Sequence, residues 1–233
     1  MNAADEYSPN AMTNRLPLVI SVNVGLRRPT AHSDMEYTGI DKLPQDGPVE
    51  VFAPGRPGES GLAGDVVCDA RHHGGVDQAV YAYAREDLDT WQQRLGRELR
   101  YGTFGENLTT SGLDLTEALI GERWRVGEGL VLQVSAPRIP CRTFAGWLGE
   151  RGWIKTFTEY ARPGTYLRVV EPGVVRAGDP ITVIDRPDHG VTVGVTFRAL
   201  TREPDLLSRL PSVEALPGDL RERARRRLAA AAG

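Results

Sequence analysis

RWRVGEGLVLQVSAPRIPCRTFAGW, residues 123–147, is the stretch on which the fold reading turns. Arg123–Val126 and Leu130–Ser135 are short Val- and Leu-bearing runs set off by glycines, and they read as strands. Two prolines follow, and then a helical segment, CRTFAGWLGERG, which Gly149 and Gly152 punctuate at its end. Outward from this stretch the same strand pattern recurs in LPLVISVNV (16–24), PVEVF (48–52), QAVYAYA (78–84), TYLRVV (165–170) and PITVID (180–185). Many short strands with Gly, Pro and Asp between them predict a mainly β chain, closed or partly closed into a barrel. A further helix is expected in REDLDTWQQRLGRE (85–98). There Leu88, Trp91 and Leu95 share a face, and Glu86 and Asp87 suit the positive N-terminal end.

After Arg186 the character changes. Val193, Phe197 and Leu200 fall at helical spacing, DLLSRL follows, and Leu220, Ala224 and Leu228 form a stripe on the last segment. The chain is therefore divided into a polar N-terminal tail (1–16), a β-barrel domain (17–188) and a three-helix extension (189–233). The opening MNAADEYSPNAMTNR lacks a basic segment followed by an apolar one, so a loose tail is expected rather than a secretory signal.

Of 233 residues, 40% are hydrophobic and 25% charged, ordinary values for a globular chain. A net charge of -3 gives no general pull toward nucleic acid or membrane surfaces. No run approaches the roughly 18 apolar residues that span a bilayer. Arg221, Arg223, Arg225, Arg226 and Arg227 could form a nucleic-acid patch, but a solvated helix face is the preferred reading, and no nucleic acid is expected. Two cysteines are too few for a disulfide framework, which fits a reducing cytoplasm. Only Lys42 and Lys155 are lysines, which disfavours Schiff-base chemistry such as that of pyridoxal phosphate.

Three constellations could carry chemistry. In Gly61–Tyr83, His72 and His73 precede Gly74 and Gly75. Adjacent histidines face opposite ways in a strand and reach one ligand only in a loop, which the glycines favour. Asp65, Asp69 and Asp77 read as turn and capping residues. In Gly102–Asp114, Gly105 and Asn107 suggest a tight turn into a strand, and a buried Asn can read a heterocycle edge. In Ser135–Trp147, Cys141 lies between Arg138 and Arg142 ahead of the helix, a setting that lowers a thiol pKa and favours metal ligation or nucleophilic attack. Each also has a structural reading: satisfied histidines, ordinary turn chemistry, a small buried thiol.

Taken in order, these segments resemble the MOSC domain, named after the C-terminal part of molybdenum cofactor sulfurases. The resemblance rests on Gly61-Leu62-x-Gly64-Asp65, His72-His73-Gly74-Gly75-x-Asp77 and Phe104-Gly105-Glu106-Asn107-Leu108. It continues through Ile120-Gly121, Pro137-Arg138-x-Pro140-Cys141 and Tyr166-Leu167-Arg168-Val169. The matches run over roughly residues 17–185. The tail is similar to the three-helix extension of stand-alone bacterial members linked to resistance against N-hydroxylated purines.

The resemblance implies a MOSC-type β-barrel with peripheral helices and a pterin-based molybdenum cofactor (molybdopterin). It puts Cys141 on the metal as the catalytic residue, and His72, His73, Gly74, Gly75, Asn107 and Arg138 around the pterin and phosphate. Cys68 is outside the pattern. The activity implied is reduction of a small N-hydroxylated substrate, of hydroxylaminopurine or amidoxime type. No iron–sulfur cysteine cluster or dinucleotide fingerprint is present, so an external electron-donor protein is expected. No membrane partner is expected, and a homodimer is allowed. A sulfur carrier or cofactor-delivery protein using a Cys141 persulfide is the alternative. A zinc hydrolase on His72, His73 and Asp77 ranks last, because the spacing fits no zinc motif. All the matched motifs lie upstream of His189, so removing the tail is expected to leave the cofactor site largely intact.

Overall fold

The alternation in VYAYA shows how this chain is layered. Val80, Ala82 and Ala84 point into one aliphatic core, while Tyr81 and Tyr83 point into an aromatic one, and all five are buried. A strand that alternates side chains between two buried faces must lie between two packed layers.

The computed structural model describes residues 16–32 and 35–232; the tail expected over 1–16 lies outside them, apart from Leu16. The strands are β1 (Leu18–Gly25), β2 (Arg28–Pro29), β3 (Tyr37–Thr38), β4 (Lys42–Pro44), β5 (Val49–Val51), β6 (Val80–Ala84), β7 (Leu108–Ser111), β8 (Arg123–Val126), β9 (Leu130–Pro137), β10 (Thr165–Glu171), β11 (Gly173–Val175) and β12 (Ile181–Asp185). The helices are α1 (Arg85–Leu95), α2 (Arg142–Leu148), α3 (Trp153–Tyr160), α4 (Val193–Thr201) and α5 (Gly218–Ala232), with short 3-10 turns at Val76–Gln78 and Pro204–Arg209.

The main sheet runs β12-β8-β9-β10-β6-β7-β1-β4. Its ends meet. Leu18 bridges Pro180, the Val19 amide donates to Asp179 O at 2.9 Å, and the Ile181 amide donates to Pro17 O at 2.8 Å. The sheet thus curls into the expected barrel, which leaves few strand-edge groups unpaired. Within the main sheet only β6 and β7 pair in parallel, and such a pair needs a crossover; α1 and the loop after it supply one. In α1, Leu88 and Trp91 are buried and Gly96 ends the helix in the left-handed conformation.

Eight aromatic rings fill the second layer, from Tyr81 and Tyr83 through Trp91, Phe104, Phe144, Trp153 and Phe157 to Phe197. Trp91 and Trp153 lie 4.6 Å apart between centroids and Phe104 and Phe144 5.1 Å. Such pairs are worth about 0.5–1.5 kcal/mol each beyond their buried area. This layer fixes α2 and α3 against β6, and so fixes Cys141 at the start of α2.

The C-terminal extension is two α-helices and a 3-10 turn, the latter formed by the expected DLLSRL segment. It is not separate in packing. Val193, Leu200, Leu207, Leu210, Leu216 and Ala224 belong to the same aliphatic core as the barrel strands, and Phe197 joins the aromatic layer. Arg168 of β10 donates to Ala215 O at 2.7 Å. Much of the arginine-rich face is used to hold α5 down, since Arg221 donates to Leu216 O and Arg227 to Leu200 O.

Candidate active site

Strand β9 ends in Pro137, and the chain passes Arg138 and Pro140 before Cys141, whose carbonyl accepts from the Ala145 amide to start α2. The Cys141 side chain faces a cleft with two parts. The narrow inner part, of about 110 Å³, is lined by Cys141, His73, Gln78, Arg138 and Tyr166, with Cys68 and Asn107 farther along its wall. The wider outer groove, of about 760 Å³, shares Cys141, His73, Gln78 and Tyr166 with it. Only the outer part has the volume ordinary for a bound small molecule, and the residues shared between the two parts put Cys141 within reach of a ligand lying there.

Burial alone would push the Cys141 thiol up. Hydrogen bonding to His73, the Arg138 charge and the Phe144 amide outweigh it and bring the thiol down to about 6. Cys141 is a thiolate at neutral pH. The Cys68 thiol behaves oppositely: burial raises it, the charges of Arg27 and Lys42 oppose that, and Asp65 adds to the rise.

Arg138 is 5% exposed. Its guanidinium carbon lies 4.2 Å from the Phe144 ring centroid and 5.1 Å from that of Tyr81, and it donates to Phe104 O. Its Nε has no hydrogen-bond partner among the described residues, and neither does the buried Oε1 of Gln78. Orphaned buried polar atoms in a cleft are costly unless something fills it.

The two histidines separate. Both lie in the expected loop, where their amides turn back on Asp69 O. His73 lines both parts of the cleft, whereas His72 is exposed and lines only the outer groove. Gly74 and Gly75 have φ of 78° and 79°, as anticipated. A Cβ on Gly74 would come within 2.8 Å of the Gly58 carbonyl carbon, so close backbone packing demands that glycine. The Gly75 amide is already bonded to Glu59 O at 2.8 Å.

Asn107 reaches the cleft wall with its polar atoms committed inside the protein. Its Oδ1 accepts from the Tyr81 amide at 3.1 Å, and its Nδ2 donates to Asn23 O and Asp65 Oδ2. Asp65 is a hub that also accepts from the Gly25 amide and Ser60 and pairs with Lys42. Asp77 is turned to Arg168, with Nε–Oδ1 at 2.5 Å, and not toward the histidines. Among the described residues no three His, Cys, Asp or Glu side chains converge as a metal-ion site.

Several contributions to the cleft were not flagged by sequence reasoning, among them Gln78, Arg56 and Arg71. Tyr166 lies at the junction of its two parts, and Pro217, Asp219, Leu220 and Arg223 of the C-terminal extension form a wall of the outer groove. Tyr166 stood in a quoted motif and shares a strand face with Arg168, but nothing local showed that β10 flanks the end of β9. Leu220 and Arg223 were legible as an apolar stripe and a charged face of the last helix, but nothing local showed that this helix borders the cleft.

The MOSC domain model matches residues 69–182, which span His72, His73, Arg138 and Cys141. Bacillus subtilis YflK is 33% identical over 176 residues, covering 75% of this chain and 76% of YflK. The chain belongs to the MOSC domain family. Among solved structures, YiiM from Geobacillus stearothermophilus superposes with a TM-score of 0.74 at 28% identity, covering 91% of this chain and 99% of that one. A protein from Gibberella moniliformis named a reductase is 28% identical over 180 residues, 76% of this chain, but the chain spans only 31% of that protein's length. Among the described residues of this MOSC protein, no helix is long and apolar enough to cross a membrane.

Proposed function

We propose that this MOSC protein binds a molybdenum–pterin cofactor through Cys141 and reduces small N-hydroxylated compounds. The observation that carries the reading is Cys141 facing a cleft that also contains the unpartnered Nε of Arg138, and His73 and Arg138 favour its thiolate. A soft thiolate suits molybdenum, and an orphaned guanidinium N–H suits an anionic, oxygen-rich ligand. These residues fit the group. Cys141 would ligate the metal, Arg138 and Gln78 would bond to the cofactor, and Arg56, Arg71, Arg142 and Arg223 on the outer groove would suit its phosphate. When bound, such a cofactor supplies two-electron oxygen-atom chemistry, while the chain supplies positioning and electrostatics. His73 and Arg138 keep the sulfur anionic, and the aromatic layer behind Phe144 keeps water from that side of it. Electrons would come from a separate donor protein. The reductase name of the Gibberella relative supports the reaction class. A cytoplasmic setting is consistent with the two free cysteines.

The thiolate also favours a second reading, in which Cys141 carries persulfide sulfur or the protein delivers cofactor without turnover. Expression in a host that makes the cofactor, with metal, pterin and sulfane-sulfur analysis, separates the two. The reductase reading expects about one pterin-bound molybdenum per chain, and turnover of a hydroxylamine or amidoxime with an artificial reductant but not with NADH alone. Abundant zinc without pterin, or sulfane sulfur without molybdenum, overturns it.

A further inference from the structure

Three tyrosines form a row across β6 and β10, and their hydroxyls have different fates. Tyr81 donates to Pro163 O at 2.8 Å. Tyr83 donates to Arg162 O at 3.0 Å and accepts from the Trp91 indole. Tyr166 packs its ring on Tyr81, with centroids 5.1 Å apart, and is only part-buried; unlike the other two, its hydroxyl is not tied to a backbone carbonyl among the described residues. It is also the tyrosine of the row that lines both the inner cleft and the outer groove. Arg138, buried and with an unpartnered Nε, lies close enough for its charge to act on Tyr166. Strand pairing fixes this placement, since Tyr166 sits opposite Ala136, two residues before Arg138.

A phenol that no protein group ties down, facing a cleft beside a guanidinium, can exchange water for a ligand's acceptor at little cost. We infer that Tyr166 is a catalytic residue that donates its hydrogen bond, and then its proton, to the N–O oxygen of the bound substrate. The assignment rests on the reductase reading above. Removing oxygen from an N–OH group takes two electrons and two protons and yields N–H and water. The electrons come from the external donor protein. One proton passes from the Tyr166 hydroxyl to the departing oxygen, and solvent in the outer groove supplies the other. Burial holds the Tyr166 phenol up, the Arg138 charge opposes this and Cys141 adds to it, so the phenolate left behind is short-lived and regains its proton from the same solvent. The hydroxyl also gives selectivity. A site that bonds an oxygen binds the analogue lacking that oxygen more weakly, because its donor is then left without a partner.

The test compares wild type, Y166F and Y83F, with 6-hydroxylaminopurine and adenine as probes. Y166F removes one oxygen that no protein group uses, so folding and cofactor loading should be unchanged. With an artificial reductant, Y166F should lose roughly 100-fold in turnover per bound molybdenum. Its preference for 6-hydroxylaminopurine over adenine should fall by about 10-fold. Y83F, whose hydroxyl is engaged away from the cleft, should keep that preference. If wild type turns over and Y166F stays within about threefold of it with an unaltered preference, the Tyr166 assignment is overturned and the reductase reading stands. The preference is also measured on cofactor-free chain. A loss confined to Y166F there supports the Tyr166 contact even if wild type proves to reduce nothing, and no loss there rejects the contact.

Discussion

At the scale of single residues, the two cysteines show what a neighbourhood does to one functional group. Both are partly buried in one cleft, yet Cys141 is pulled down to about 6 against its burial and Cys68 is pushed up by its own. In cofactor-free protein, iodoacetamide should label Cys141 with half-maximal rate near pH 6, while Cys68 should stay slow until well into the alkaline range. Peptide mass spectrometry reads both, and equal profiles would contradict the assignment. The folded pKa of Cys141 is depressed, so its contribution to stability is present above the unfolded thiol value and is lost as pH falls through about 6. Arg138→Gln should move the labelling midpoint of Cys141 upward. The cysteine and its arginine were legible in SAPRIPCRTFAGW because charge and thiol are neighbours in sequence. The division of labour between His72 and His73 was not, since it depends on which way one loop turns. Asn107 was legible as a residue at the cleft, but its bonds to Tyr81, Asn23 and Asp65 join segments far apart in the chain.

At the scale of elements, α1 is held to the strand layers by buried charge. Arg162, just after α3, bonds Asp87 of α1 at 2.5 Å and Asp114 beyond β7 at 3.0 Å. Burial raises Asp87 to about 6 despite the opposing Arg162 charge. The folded protein therefore takes up a proton that the unfolded chain, with an Asp pKa of about 4, does not. This group's contribution to stability is full below the unfolded value and declines as pH rises from about 4 through 6. Urea midpoints across that range should show the trend, and Asp87→Asn should flatten it. Arg162→Met leaves Asp87 buried without its cation and should cost about 3 kcal/mol at pH 7; a shift below about 1 kcal/mol would mean the pair is solvated. Most strands were readable within one or two residues, because Val, Ile and Tyr runs end at Gly, Pro and Asp. Helix α3 was not anticipated: WIKTFTEY is rich in aromatic and β-branched residues, and it is helical because Trp153 and Phe157 bury themselves against Trp91 and Phe144.

At the scale of the whole molecule, sequence character changes at residue 189 but the core does not. The strand-to-helix transition was legible, whereas the packing of those helices into the barrel's core was not, because an apolar stripe does not name its partner. Burying Val193, Phe197, Leu200, Leu207, Leu210 and Leu216 contributes on the order of 10 kcal/mol, comparable with the total stability of an ordinary domain. A chain cut at His189 should therefore fail to unfold cooperatively in urea, in place of the intact site expected from motif positions alone. A sharp transition near the full-length midpoint would show that the extension is dispensable. The cut would also remove Pro217, Leu220 and Arg223 from the outer groove wall. In the proposed function this one cleft, built from the end of β9, the His73 loop and the extension, would place the Cys141 sulfur on molybdenum. That placement is tested most directly by X-ray absorption at the molybdenum edge, comparing cofactor-loaded wild type with Cys141→Ser at equal pterin content. One sulfur fewer around the metal is expected in Cys141→Ser and no change in Cys68→Ser. An unchanged sulfur count in Cys141→Ser would contradict it.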